Sequence, residues 1–126
     1  MVATAHENMS MEIFRFDRDE RVIGAHGSIG LHATRIASGD GAVALICLAV
    51  QPGGTIGTHP TTGDQLFLVI AGSGWVAGTD GIRHPIQAGQ GAHWTTGEIH
   101  TSGSDTALTA LAVEGSSLRL FEPEDS

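Results

Sequence analysis

The sequence predicts a single domain of the all-β class, built as an antiparallel sandwich or barrel. Its 126 residues include 18 glycines and 4 prolines, a composition typical of chains with many tight turns. The apolar residues occur in short runs bounded by turn residues, and no stretch has helical spacing over the length of a helix. A chain of this size buries roughly two thirds of its unfolded surface, so it can form a core without disulfides.

Strand signals in the first fifty residues are short and uneven. Residues 1–10 are polar and lack periodicity, so we expect a disordered leader before a single domain at residues 11–126. Residues 11–23 alternate apolar and charged side chains, as an entering strand or a short arm would. Residues 42–50 form a nearly continuous apolar run, which predicts a strand buried on both faces.

The central stretch, residues 53–72, predicts two strands that meet at a polar junction. A Pro-Gly-Gly turn leads into a short run that ends at His59, and the apolar run that starts at Gln65 ends at Gly72. His59 precedes a proline, which disfavours helical backbone and suits a strand end. We therefore expect His59 and Gln65 to lie close together where the two strands meet.

The C-terminal half continues the pattern of short strands and turns. Residues 72–74 predict a turn, and the Asp-Gly pair in residues 79–81 predicts a tight hairpin. Pro85 restricts its strand to a sheet edge or a strand end, because proline has no N–H to donate. Further strands are predicted at residues 92–95, 107–113 and 117–121.

Charge and cysteine content exclude several classes of function. The formal net charge is −8, and the basic residues form no cluster, which argues against nucleic acid and membrane partners. The first residues lack the basic and apolar regions of a secretory signal, so a cytoplasmic location is expected. The single cysteine, Cys47, excludes an internal disulfide and is interpreted as a buried small hydrophobe. No sequence pattern for acyl transfer or nucleotide hydrolysis is present.

Five positions of the central stretch have the spacing of a known motif: Gly53, His59, Thr61, Gln65 and Gly72. Their spacing resembles the first conserved motif of the cupin family, in which the corresponding positions are Gly, His, His, Glu and Gly. The chain departs from that motif twice, with Thr61 in place of the second histidine and Gln65 in place of the glutamate.

A second set of positions, Gly89, Thr95, Gly97 and His100, is similar to the second cupin motif, whose positions are Gly, Pro, Gly and His. The two motifs occur in the family's order. This resemblance implies one antiparallel double-stranded β-helix, the jelly-roll barrel of cupins, and it implies a homodimer with a small-molecule pocket inside the barrel.

The resemblance also implies a divalent transition metal, because metal-binding cupins use the histidines and glutamate of these motifs. His59, Gln65 and His100 are the expected ligands, with His59 and His100 as the catalytic residues. Zinc, iron, nickel or manganese would suit the site, and a barrel without metal remains the alternative. Exchange of carboxylate for amide removes a negative charge and leaves the ion more strongly polarising.

The expected function is binding of a small molecule, with a metal-assisted isomerase, lyase or dioxygenase acting on a small polar or carboxylate-bearing metabolite. Thr61, Phe67 and Trp94 are assigned to the substrate pocket, although a core position is open for Trp94. The alternatives are a metal-free barrel that binds or senses a ligand, and a metal-free isomerase with a histidine base. His93 is a possible replacement ligand if it faces inward, and Asp64 is expected on the opposite face of its strand from Gln65.

Overall fold

The computed structural model describes residues 11–18 and 21–121, and the predicted all-β class is confirmed. Its strands pair antiparallel throughout, and the one helical segment in the described ranges is a short 3-10 turn at Ala25–Gly27. The expected leader at residues 1–10 lies outside the described residues. Within them, no helix has both the length and the apolar character needed to cross a membrane.

The described residues contain the following strands: β1 (Glu12–Arg15), β2 (Arg21–Ile23), β3 (Leu31–Ala33), β4 (Ala37–Gly39), β5 (Val43–Val50), β6 (Gly54–Pro60), β7 (Asp64–Ala77), β8 (Arg83–Gln87), β9 (Gln90–Trp94), β10 (Ile99–Gly115) and β11 (Leu118–Leu120). The main sheet has the order β1-β9-β7-β10-β5, with β6 added to β10 and β8 added to β7. Two small pairs, β11 with β4 and β2 with β3, complete the described structure.

The two longest strands, β7 and β10, each belong to two layers. The first part of β7 pairs with β9 and its later part with β8, while β10 pairs first with β6 and later with β5. Between these parts the register of the β7–β10 pair shifts at Gly103/Ala107 and again at Thr109/Ala110. Both strands therefore change layers without a chain reversal, and the sheet curves round on itself.

The turn predicted at residues 72–74 is wrong, because β7 continues through it. Gly72 has a φ of +80°, and a Cβ at this position would collide with the carbonyl oxygen of Ala107 on β10. Glycine permits both the backbone conformation and the close approach. The positive φ therefore produces an irregularity in a continuous strand. The strand predicted at residues 107–113 is likewise only a part of β10, which runs over Ile99–Gly115.

The core fills the space enclosed by the curved sheet. Its buried side chains include Phe67, Val69, Val76 and Trp94, each at most 1% exposed. The Phe67 and Trp94 rings are tilted against each other, with centroids 5.9 Å apart. Removal of such aromatic and aliphatic side chains from water is the main force that holds the two layers together.

Strand β5 was predicted to be buried on both faces, and this prediction is wrong. Val43 is 57% exposed, Leu45 is 67% exposed, and Cys47 is also exposed rather than buried. In the described residues β5 is hydrogen-bonded to β10 alone, so it forms the edge of the sheet. Only its end is covered, since Val50 belongs to the core cluster and Leu48 packs against that cluster, while the first five residues are exposed. The prediction for Pro85 is confirmed, since among the described strands β8 pairs with β7 alone and is therefore an edge strand.

Candidate functional site

Two imidazoles face each other where β6 ends and β10 begins. His59 and His100 are paired in register across these strands, and their Nε2 atoms are 3.2 Å apart. The ring centroids are separated by 4.4 Å, with the planes tilted by 56°. The structure therefore brings together two of the residues that the motifs predict, although 40 residues separate them in the chain.

The backbone determines the tautomer of the first imidazole. His59 Nδ1 lies 2.6 Å from the carbonyl oxygen of Gly57. A carbonyl can only accept, so His59 donates the Nδ1 proton and its Nε2 carries a free lone pair. In the absence of a bound ion, His100 Nε2 donates to this lone pair. The interaction aims His59 Nε2 at His100, an orientation that suits a metal ligand held by an outer hydrogen bond.

The two imidazoles differ in burial and hence in proton affinity. His100 is 5% exposed and has the Trp94 ring against it at a centroid distance of 4.4 Å, while His59 is exposed. Burial lowers the pKa of His100 to about 4, and the positive charge of a protonated His59 acts in the same direction. His100 is therefore neutral at physiological pH and available as a hydrogen-bonding group or a ligand.

An open pocket of about 120 Å³ lies beside the imidazole pair. Its lining consists of polar side chains and loop backbone from both layers: His59, Pro60, Thr61, Thr62, Gly63, Gln65, His100 and Glu114. Gln65 is 8% exposed, and its side chain makes no hydrogen bond with any residue of the described ranges. The Gln65 amide can therefore offer its oxygen and its NH₂ group to a molecule in the pocket.

Thr61 lines the pocket and also anchors the loop of the second motif. Its hydroxyl donates to the carbonyl oxygen of Thr95 at 2.8 Å, and its backbone N–H donates to the carbonyl oxygen of Glu98. The Thr61 hydroxyl therefore uses its proton in the hydrogen bond to Thr95, while its oxygen can still accept a hydrogen bond from a ligand in the pocket. This bonding links the loops of the two motifs and positions His59 relative to His100.

A buried carboxyl that the sequence did not reveal supports this loop. Glu98 is 1% exposed, and its Oε1 accepts a hydrogen bond from the backbone N–H of Thr95 at 3.2 Å. Burial raises the pKa of Glu98 to about 7, against the opposing effect of backbone N–H donors at Thr95 and Met11. No local pattern distinguishes it from an exposed turn glutamate, because its burial depends on packing against distant residues.

Two residues that the sequence analysis assigned to the substrate pocket, Phe67 and Trp94, lie in the core beneath it. Phe67 and Trp94 are each 1% exposed, belong to the core cluster and do not line the pocket. Trp94 contacts the site from beneath, through the ring of His100. It can keep water away from one side of that imidazole without touching a ligand in the pocket.

Two further candidates, His93 and Asp64, do not line the pocket. His93 does not line the pocket that holds the imidazole pair, and its Nδ1 lies 3.3 Å from a carboxylate oxygen of Glu12, its partner on β1, so it is not placed to replace Thr61 or Gln65 there. Asp64 accepts hydrogen bonds from Thr96 and from the backbone N–H of Leu118, which gives it a structural role away from Gln65. Each residue points away from its neighbour that faces the core or pocket, as strand alternation requires.

Glu114 lines the pocket and was missed by sequence reasoning, which placed it in a turn between the last strands. In the structure it lies near the end of β10, in register with Gln65 on β7. The signal that could have found it is cross-strand pairing, which depends on the extended length of β10. Within the described residues, no three His, Cys, Asp or Glu side chains converge, so Glu114 does not complete a cluster with the imidazoles.

No family model and no curated protein sequence matches the chain, but solved structures do. A cupin superfamily protein from Desulfitobacterium hafniense superposes with a TM-score of 0.55 at 14% identity, covering 77% of this chain and 92% of that protein. A predicted oxalate decarboxylase from Thermotoga maritima has a TM-score of 0.51 at 26% identity, covering 61% and 65%. A DMSP lyase from Ruegeria pomeroyi has a TM-score of 0.55 at 12% identity, covering 98% and 66%. These similarities concern the fold.

Proposed function

Because this chain has the cupin fold, we propose that it is a metal-assisted enzyme acting on a small polar or carboxylate-bearing metabolite. The reaction would be of the isomerase, lyase or dioxygenase type. The observation that supports this proposal is the pair of imidazole Nε2 atoms, 3.2 Å apart at the edge of an open polar pocket. The double-stranded β-helix alone would not support it, because one fold serves many functions.

The residues present fit a divalent transition metal. With metal–nitrogen distances of 2.0 to 2.1 Å, two ligand atoms 3.2 Å apart subtend about 100° at the ion, close to tetrahedral or octahedral values. The hydrogen bond from His59 to Gly57 already leaves Nε2 as the free nitrogen of that ring. Gln65, on β7 beside β10, offers a neutral amide oxygen from the lining of the same pocket. His59, Gln65 and His100 would therefore hold zinc, iron, nickel or manganese.

When bound, such an ion would polarise a substrate oxygen and lower the pKa of a coordinated water. The protein groups have separate tasks around it. The His59 Nδ1–H stays on the Gly57 carbonyl and prevents the ring from turning, and Trp94 excludes water from one face of His100. The Thr61 oxygen can accept a hydrogen bond from a substrate hydroxyl, and the Gln65 NH₂ group can donate one to a substrate oxygen.

A metal-free barrel is the second candidate, and one observation favours it. The His59 and His100 pair is already satisfied by a direct hydrogen bond, so it needs no ion to offset a buried unpaired nitrogen. In such a barrel, Thr61, Gln65 and the imidazoles would hydrogen-bond a ligand that the protein binds or senses. If it were catalytic, the exposed His59 would be the base, with Nε2 as the proton-accepting atom.

Metal analysis separates these candidates. The full chain is purified without a histidine tag, loaded with each of the four metals in turn, and freed of loosely bound ions before elemental analysis. We expect stoichiometric metal in the wild type and its loss in the His59→Ala, His100→Ala double variant. His84→Ala, an exposed histidine on β8, is the matched control and should retain the metal. No metal under any loading condition would exclude the enzyme as proposed and favour the binding barrel.

We also propose that the protein is a homodimer, as the family resemblance implies. The surface that supports this is β5, an eight-residue edge strand without a charged side chain. Edge strands usually carry charges or are covered, because a bare apolar edge invites pairing with another chain. Two copies of β5 related by a twofold axis would pair antiparallel and cover Val43 and Leu45.

A further inference from the structure

Among the described residues, Glu114 alone brings a carboxylate to the lining of the pocket that holds the imidazole pair. Strand β10 supplies both His100, which is in register with His59, and Glu114, which is in register with Gln65. The register shifts between these positions bend the strand, so that residues near both of its ends line one pocket. Glu114 is half-buried, in contrast to an ordinary solvated glutamate at a strand end.

Within the described part of the chain, no arginine side chain lies in the pocket to offset the charge of Glu114. The chain contains no lysine, and none of its six arginines lines the pocket. Glu114 makes no hydrogen bond or ion pair with any residue in the described parts of the chain. A partly desolvated carboxylate without a partner leaves hydrogen-bonding capacity that a ligand can satisfy.

The surroundings of Glu114 indicate the kind of cation that would fit. The neighbouring Gln65 side chain has an amide oxygen with no partner in the described ranges, so two acceptors lie side by side on adjacent strands. An amide oxygen has two lone pairs, so one can accept from an ammonium group even if the other binds the ion. An N–H-bearing ammonium can donate to both acceptors, whereas a quaternary ammonium cannot. Quaternary ammonium groups are usually held by aromatic cages, and no Phe or Trp lines this pocket. The net charge of −8 would also draw small cations towards the protein.

We propose that Glu114 and Gln65 form a subsite for a protonated amine, so that the ligand of this pocket is a small metabolite with an ammonium group near an oxygen function. The oxygen function would face the imidazole pair. This inference narrows the substrate class of the proposed function. It rests on the proposed function only in that both concern ligands of the same pocket. If the metabolite also carries a carboxylate, that group must lie on the side of the imidazoles and away from Glu114, because like charges repel.

Four small probes test the subsite. Ethanolamine has an ammonium group, choline a quaternary ammonium, ethylene glycol no charge and glycolate a carboxylate. Their dissociation constants are measured at pH 7 by NMR titration of the full chain, as purified and again after treatment with a chelator. We expect ethanolamine to bind at least about tenfold more tightly than ethylene glycol or choline, as expected for a charged hydrogen bond. Glycolate should bind no better than ethylene glycol to the chelator-treated protein.

The variants attribute this preference to one carboxylate. In Glu114→Gln the advantage of ethanolamine over ethylene glycol should fall to about threefold or less, with the affinity for ethylene glycol unchanged. If Glu114→Gln fails to fold, Glu114→Asp takes its place. This variant keeps the charge and should retain part of the preference for ethanolamine. Asp105→Asn removes one charge from an exposed carboxylate outside the pocket and should behave as the wild type.

Two results would overturn the subsite: no binding of ethanolamine to the wild type, or an unchanged preference in a folded Glu114→Gln variant. Failure of the proposed enzyme would look different. If metal analysis finds no ion but ethanolamine selectivity persists and depends on Glu114, the subsite stands in a binding barrel. If metal is present but selectivity is absent, the metal site stands without the subsite.

Discussion

The buried carboxyl of Glu98 should make stability depend on pH in a way that one substitution reveals. Burial is the main reason that its pKa rises from 4.5 to about 7, and the charge of Asp80 adds to the rise. A group whose pKa is higher in the folded state stabilises the fold below its unfolded pKa. That stabilisation is lost as the pH rises through the folded value, here between about 4.5 and 7. The free energy involved is about 3 kcal/mol at 1.36 kcal/mol per unit.

The perturbation is Glu98→Gln, which keeps the shape of the side chain and an oxygen that can accept from the backbone N–H of Thr95. Relative to the wild type, the variant should gain about 3 kcal/mol in free energy of unfolding as the pH is raised from 4 to 8, because the amide never ionises. The absolute difference at any one pH also contains the altered hydrogen bonding. The change with pH is therefore the quantity to be compared.

Urea unfolding at five pH values, with a chelator present, measures this difference. The matched control is Asp105→Asn, an exposed carboxyl, for which the difference from wild type should stay within about 0.5 kcal/mol over the range. A Glu98→Gln difference that is flat, or that falls as the pH rises, would refute the argument. It would mean that the carboxyl is hydrated or fully compensated by its backbone donors in the folded protein.

Three further perturbations test other parts of the structure. Because the pKa of His100 is lowered in the fold, the wild type should lose about 3 kcal/mol of unfolding free energy as the pH falls from 6.5 to 4. His100→Gln should not show this loss. Equal acid sensitivity of the two proteins in urea unfolding would contradict the argument. Gly72→Ala should lower the free energy of unfolding by about 2 kcal/mol or more, because the new Cβ would collide with the Ala107 carbonyl and residue 72 has a positive φ. The control Gly57→Ala has open space around its new Cβ and should lower the free energy of unfolding by less. Leu45→Glu places a charge on the exposed edge strand β5 and should shift the protein from dimer to monomer, as measured by light scattering after size exclusion. The control Ile82→Glu changes an exposed apolar residue away from β5 and should leave the dimer intact. A monomeric wild type would contradict the proposed dimer.

The convergence of His59 and His100 could be predicted only because the resemblance to the two cupin motifs implies it, since the residues lie on strands that are far apart in the sequence. Turn glycines and a proline mark the ends of the strands, and the motif spacing places one histidine at the end of β6 and the other at the start of β10. The outcome is the register His100 to His59. The tautomer of His59 could not be predicted, because it depends on the carbonyl of Gly57, and every peptide carries such a carbonyl.

Other features depend on which strands become neighbours, and a single sequence does not contain that information. An apolar run such as that of β5 looks the same whether another element or nothing covers it, so its exposure was mispredicted. Glycine at residue 72 is compatible with both a turn and a bulge, and only pairing with β10 on both sides distinguishes them. Strand β10 extends to Gly115 and places Glu114 at the pocket. The strand predicted from the sequence ended at residue 113, so Glu114 was assigned to a turn.

Anomalous diffraction from crystals of the metal-loaded, untagged protein tests the central claim most directly. Data collected on both sides of the absorption edge of the loaded metal should show one strong peak about 2.1 Å from the Nε2 atoms of both His59 and His100. The Gln65 amide should be turned towards the same peak. A direct His59 to His100 hydrogen bond with no peak beside it, in crystals soaked at saturating metal, would contradict the claim.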